Sequence, residues 1–271
     1  MMPNPLQALV QTQDLTLRAD YSYTFDSDFK DSSLGSLSVS KLNASARAPI
    51  PIGEKLRLIT GVNYRRLDFD SDSEIIPDHM QGLSALVNFE YLIGGQPAIG
   101  LLMSPGFYFI DDIDSDAFDI PTIFYASWRF TPSIIGIGGA SYSGMRADNE
   151  VIPIAGVIWT ISDGIKFNGL FPVASLDFDL NDSTKLSIIG EYSGLKAYTG
   201  NGVADEDYRD ANLSYSEIRA GMQLGLELSD SASLRFSAGW AFRQEFEFDD
   251  PDQSFRTDGA PFVAVSVSKS F

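Results

Sequence analysis

The chain has 271 residues, no cysteine, and 37 acids against 19 lysines and arginines, for a formal net charge of −18. These values exclude disulfides and thiolate metal sites and argue against nucleic-acid binding on charge alone. With 44% hydrophobic and 21% charged residues the chain fits neither disorder nor a helical membrane protein, since no apolar run approaches the ~20 residues a transmembrane helix needs.

Taken in order, the chain begins MMPNPLQALVQTQ, which lacks a basic n-region and a long apolar h-region. Residues 1–13 are therefore expected to form a short N-terminal segment from which any secretory leader is already gone. Residues 14–271 are expected to form a single barrel domain. The first run, LTLRADYSYTF, alternates throughout, with Leu15, Leu17, Ala19, Tyr21, Tyr23 and Phe25 on one face and Thr16, Arg18, Asp20, Ser22 and Thr24 on the other. FDIPTIFYASWRF (118–130), EIRAGMQLGLEL (217–228) and LRFSAGWAFRQEFEF (234–248) repeat the pattern, the last with Phe242, Phe246 and Phe248 on its apolar parity. Globular strands run to about 5 or 6 residues, whereas a tilted membrane-crossing strand needs about 9–11. Any membrane crossing is therefore made by strands.

Short links rich in Gly, Pro, Asn, Asp and Ser lie at 49–55, 93–97, 130–133, 162–164, 181–184 and 229–233. Between them fall five acidic segments, 26–35, 68–80, 111–119, 200–211 and 249–258, which hold 21 of the 37 acids and three of the 19 bases. The remainder of the chain is neutral, so the whole excess sits in loops. Short and long links in alternation give a transmembrane antiparallel up-and-down β-barrel of about fourteen strands with all acidic loops at one rim. The strands are expected near 14–25, 36–48, 55–67, 81–93, 97–110, 118–130, 134–146, 150–161, 165–170, 172–180, 185–198, 212–228, 233–248 and 260–271. Twelve is the alternative, because LFP at 170–172 reads as a tight hairpin or as a bulge.

The last run, FVAVSVSKSF, places Val263, Val265, Val267 and Phe271 on one parity. It resembles the C-terminal recognition signal of Gram-negative outer-membrane β-barrels, departing from that pattern at Lys269, a residue able to snorkel to the interface. Residues 156–194 also resemble uncharacterised, porin-like outer-membrane barrel families. The resemblance implies a bacterial outer-membrane location with the short turns and residues 1–13 periplasmic, contact with lipid and lipopolysaccharide, and reading of Phe271, Val267 and Val265 by the barrel assembly machinery. A soluble sandwich or large lipocalin-like barrel is the competing fold, opposed by strand length, loop asymmetry and Phe271.

If the apolar parity faces lipid, the other lines the lumen. That predicts an interior containing Arg18, Asp20, Glu90, Arg129, Glu191, Glu217, Arg219, Glu227, Arg235, Arg243, Glu245 and Glu247. Pairing Leu228 with Leu234 would set Glu227 opposite Arg235. Such a balanced interior suits a crosslinked, narrow or plugged lumen as well as a solvated one. Enzymatic chemistry is not expected, because the only histidine, His79, lies in an acidic loop away from any nucleophile motif. Asp111, Asp112, Asp114 and Asp116 are spaced to hold Ca²⁺ or Mg²⁺ weakly but lack the glycine and distal Glu of an EF-hand loop, and no other cofactor is implied. GIGGA (136–140) sits in an alternating run and is not a phosphate loop. Two functions from different classes stand: a narrow transport pore of unknown cargo, or a structural subunit with a filled lumen that binds envelope proteins.

Overall fold

The computed structural model describes residues 14–94, 96–143, 145 and 151–271, and the 1–13 segment lies outside them. In chain order the strands are β1 (Thr16–Asp28), β2 (Ser36–Ile52), β3 (Leu56–Ser71), β4 (His79–Ile93), β5 (Gln96–Met103), β6 (Gly106–Phe109), β7 (Phe118–Asp119), β8 (Thr122–Thr131) and β9 (Ile134–Tyr142). They continue as β10 (Ile152–Ser162), β11 (Ile165–Leu170), β12 (Val173–Asn181), β13 (Thr184–Tyr198), β14 (Asn212–Ser229), β15 (Ala232–Asp249), β16 (Asp252–Arg256) and β17 (Ala260–Ser270). All but β6, β7 and β16 form one closed antiparallel barrel of 14 strands, sealed where β1 pairs with β17 from Thr16 opposite Ser270 to Thr24 opposite Phe262. The region around Leu170 is a true hairpin, Leu170 facing Val173, so the fourteen-strand count holds over twelve.

The outer face follows the alternation. Leu17, Tyr21, Phe89, Trp128, Trp159, Met222, Phe236 and Trp240 are exposed, an apolar band that only hydrocarbon would cover without cost. Met222 stands 55% exposed midway along β14. Met222→Arg is expected to cost about 2–4 kcal/mol in an unfolding titration from lipid vesicles. A change near zero would mean that this face does not meet the bilayer core.

Two proline breaks bend the β5–β8 hairpin. The expected runs 97–110 and 118–130 stop at Ser104–Pro105 and at Pro121, where a ladder N–H is missing, and Ser104 N–H instead donates to the Pro121 carbonyl at 2.9 Å. Beyond the break β6 pairs with β4 over Gln81–Ser84, and Phe109 bridges to Tyr198 of β13 on the opposite wall. Gly82 permits this fold-back, since a Cβ there would stand 2.9 Å from the Tyr108 ring.

A second departure lies in β15. The β14–β15 register shifts between Ile218 and Arg219, so that Ile218 faces Arg243 but Arg219 faces Ala241. One extra residue, Phe242, inverts the parity beyond it, as a β-bulge must. Gln244, Phe246 and Phe248 are consequently buried at 1% exposure or less. The expected lumen positions of Arg243, Glu245 and Glu247 are corrected accordingly. Glu245 instead pairs with Arg243 and with Arg256 of β16, at 2.6 Å from the latter, while Glu247 is exposed. The β14–β15 turn also sets Leu226, not Leu228, opposite Leu234. Glu227 therefore faces Ser233, and Arg235 faces Gly225.

Candidate functional site

The lumen is unevenly filled. Towards the acidic rim, Phe29, Phe69, Tyr215, Phe246 and Phe248 pack with Leu37, Val39, Leu67, Met80 and Leu213 into a buried apolar mass inside the barrel. The Phe69, Tyr215 and Phe246 rings meet with centroids 5.0–5.2 Å apart, a density that leaves no water column along this part of the axis.

Beneath this plug lies a charge network. Arg219 donates from Nε and Nη2 to Glu191 Oε2 at 3.0 and 2.9 Å, and Glu217 Oε1 takes Lys41 Nζ at 2.7 Å. Thr24 and Tyr215 hydroxyls each donate to Glu217 Oε2 at 3.1 Å, and the Arg219 guanidinium lies 4.6 Å over the Phe262 ring. Strands β1, β2, β13, β14 and β17 are thereby stitched together through the interior. Closer to the short turns, Arg18 grips Asp20 at 2.7–2.9 Å. Glu90 accepts from Arg57 Nε at 2.7 Å and from the Tyr125 hydroxyl at 2.8 Å. Glu227 and Arg129 stand exposed near the short turns, and Arg235 is half-buried.

Six side chains of this interior, Lys41, Arg47, Arg57, Asn63, Arg65 and Asn88, are absent from the sequence expectation. Their signal was present for β2, where Lys41, Asn43, Ser45 and Arg47 alternate with Leu42, Ala44, Ala46 and Ala48. In β3 and β4 it was blurred, because the inward parity mixes Ile59 and Leu86 with Asn63 and Asn88.

The other half of the lumen holds a second buried apolar cluster, of Ile59, Leu86, Leu102, Ile123, Tyr125, Ile137, Ile154 and Leu170, with a void beside it. A cavity of about 110 Å³ lies against β3, β4, β5, β8 and β9, with Ile59, Leu86, Leu102 and Ile123 as apolar wall and Arg47, Asn63 and Asn88 as polar groups. It reaches Tyr142, Ser143 and Met145 on one side and Gly194, Leu195 and Lys196 of β13 on the other, yet no residue of β10, β11 or β12 lines it. Those three strands separate β9 from β13 in the sheet, and the cavity meets β13 where β12 no longer pairs with it.

Their height explains this. Strand β12 starts at Val173 opposite Glu191, while β13 runs on to Tyr198. On that free edge Tyr192 N–H donates to the Pro172 carbonyl at 2.8 Å, and the Gly194 carbonyl accepts from Arg65 Nη1 across the lumen at 2.9 Å. The hairpin tip, Leu170-Phe171-Pro172-Val173, carries no polar side chain, and Phe171 stacks on Tyr192 at 5.6 Å. Such a tip suits hydrocarbon, not the water that the acidic loops meet, and the β11–β12 hairpin ends lower than β13.

The acidic positions lie where the loops put them. Asp111, Asp112 and Asp116 are exposed, while Asp114 caps the short turn Ser115–Ala117. Its carboxyl is held below the ordinary carboxylate range by the Ser115 hydroxyl and backbone N–H. Among the described residues no three His, Asp or Glu side chains converge where a metal ion would fit. His79 opens β4 opposite Asp68. In the last strand Val267 is exposed opposite Ala19, Val265 faces Tyr21, and the exposed Phe271 donates its N–H to the Leu15 carbonyl at 3.0 Å beneath Lys269.

Known proteins share the fold and little sequence. No curated protein matches the chain. The COG4313 outer membrane channel from Pseudomonas putida F1 superposes with a TM-score of 0.53 at 10% identity, over 97% of both chains. The P. putida toluene transporter TodX (TM-score 0.43, 10% identity, 99% of this chain and 93% of that) is also similar. So is the translocator domain of the autotransporter NalP from Neisseria meningitidis (0.44, 11%, 98% and 94%). The first of these shows the outer-membrane barrel fold. Residues 54–267 match the model of the family described as a domain of unknown function, DUF6268, and the chain, an outer-membrane-type β-barrel, belongs to that family.

Proposed function

We infer that the chain is a narrow outer-membrane transport channel for small solutes, and that its route avoids the filled axis and runs through the side cavity. The observation that carries this reading is the cavity of about 110 Å³ left open in a lumen otherwise crosslinked and plugged, beside the stretch of β13 that the short β11–β12 hairpin leaves unpaired. A purely structural barrel has no need to keep such a void, because a void forfeits packing contacts. In this reading the outward band contacts lipid, the acidic loops lie among lipopolysaccharide heads, and Val265, Val267 and Phe271 present the last strand to the assembly machinery.

The expected behaviour differs from that of a diffusion porin. In planar bilayers the protein should show no large steady ion conductance. Cells with an intact lipopolysaccharide layer that express it should nonetheless take up a small apolar solute faster than cells without it, and Ser143→Trp at the cavity mouth should reduce the difference. Unchanged uptake of every small solute tried, together with stable co-purification of envelope proteins, would replace this reading with that of a structural subunit.

A further inference from the structure

The cavity that this channel reading uses has a chemistry of its own at the Arg47 end. Arg47 extends from β2 into the lumen, and its Nε and Nη2 are buried and make no hydrogen bond within the protein. The other guanidiniums of the interior are engaged. Arg18 is held by Asp20, Arg57 by Glu90, Arg219 by Glu191, and Arg65 donates to the Gly194 carbonyl. The acid in the cavity lining, Asp119, accepts from the Ser143 hydroxyl at 2.6 Å and the Ile120 N–H at 2.8 Å. Arg47 is thus a positive charge at the border of a space walled by Ile59, Leu86, Leu102 and Ile123, with two donors that no protein atom accepts.

A guanidinium fork is matched in shape by a carboxylate, and charge-assisted pairs of this kind are about twice as strong as neutral hydrogen bonds. Leaving such a charge buried and unpaired is costly, so a ligand that partners it gains more than one that only fills the apolar wall. The volume sets the size of that ligand. An apolar cavity of about 150 Å³ accepts one benzene-sized molecule, so about 110 Å³ takes a body of roughly four heavy atoms, and a longer chain would extend past it towards Ser143 and Lys196.

We propose that the cavity is a binding site for small apolar monocarboxylates, with the carboxylate on the Arg47 guanidinium and the apolar body against Ile59, Leu86, Leu102 and Ile123. This rests on the channel reading for its biological sense but not for its test, since equilibrium binding needs no passage. The amide oxygens of Asn63 and Asn88, also buried without a donor, flank the same space and would favour a carboxylate that carries a hydroxyl or amine.

The experiment compares hexanoate with 1-hexanol by calorimetry on the full chain in lipid nanodiscs at neutral pH, with empty nanodiscs subtracting partition into lipid. The protein should bind hexanoate at least about tenfold tighter than 1-hexanol. Arg47→Gln should bring the two affinities together by weakening hexanoate alone, and Leu102→Trp, which fills the wall, should weaken both. Should Arg47→Gln fail to fold, Arg47→Lys, which keeps the charge but not the fork, should retain only part of the preference. Equal binding of the acid and the alcohol by the unmodified protein would show that water satisfies Arg47, and overturn the proposal. A preference that survives Arg47→Gln would do the same, by placing the anion elsewhere. Either failure leaves the uptake experiment to decide the channel reading separately.

Discussion

Arg219→Met is expected to destabilise the barrel by about 3–5 kcal/mol, because it removes one partner of a buried network and leaves the charges it faced. Glu191 and Glu217 have side chains no more than 4% exposed, and both lie against Arg219. Glu217 would retain Lys41 at 2.7 Å, whereas Glu191 would lose both hydrogen bonds it accepts from the guanidinium. The loss should therefore shrink when Glu191→Gln is combined with Arg219→Met, since the carboxylate left behind carries much of the cost. Unfolding titrations of the two single variants and the double variant from lipid vesicles give the coupling directly. A loss under 1 kcal/mol for Arg219→Met would mean that water enters this level of the lumen and solvates Glu191, and the lumen would then not be closed there.

Phe246→Ala is expected to cost about as much, 3–5 kcal/mol, and to change what the barrel conducts. Phe246 is fully buried and touches the rings of Phe29, Phe69 and Tyr215. Its removal leaves a void in the plug that neighbouring rings fixed to opposite walls cannot close. Adding Phe69→Ala should join that void to the polar level below, so that single-channel recordings of the double variant show ion conductance where the unmodified protein is expected to show none. Phe236→Ala, at an exposed position on the outer face of the same strand, should leave conductance unchanged. If the double variant folds, loses stability and still conducts no ions, the Lys41–Glu217–Arg219–Glu191 layer and not the aromatic plug is the barrier.

Both variants depend on a side chain whose position the alternation reads differently. Periodicity assigns Arg219 and Glu217 to the lumen, and there the structure buries them. It assigns Phe246 to lipid along with Phe236 and Trp240, because a period of two carries no mark of an inserted residue. The bulge at Phe242 lies within an unbroken run of strand-forming residues, with neither glycine nor proline at the extra position to announce it. The breaks at Pro105 and Pro121 fall inside runs that alternation reads as continuous, and where β6 then goes, to β4 and across to Tyr198, depends on contacts far apart in the chain.

By itself the sequence determined the class of fold, the fourteen strands with their turns, the acidic loops and the exposed apolar face. Each of these follows from local alternation and turn chemistry, which are written over a few neighbouring residues. Only the tertiary structure decided how the lumen is occupied. The plug of Phe69, Tyr215 and Phe246, the pairing of Arg219 with Glu191 and the cavity beside Arg47 all join strands separated by tens of residues. Strand height, register and barrel closure settle which inward side chains meet, and an alternating pattern specifies the face of a residue without specifying its neighbours across the lumen.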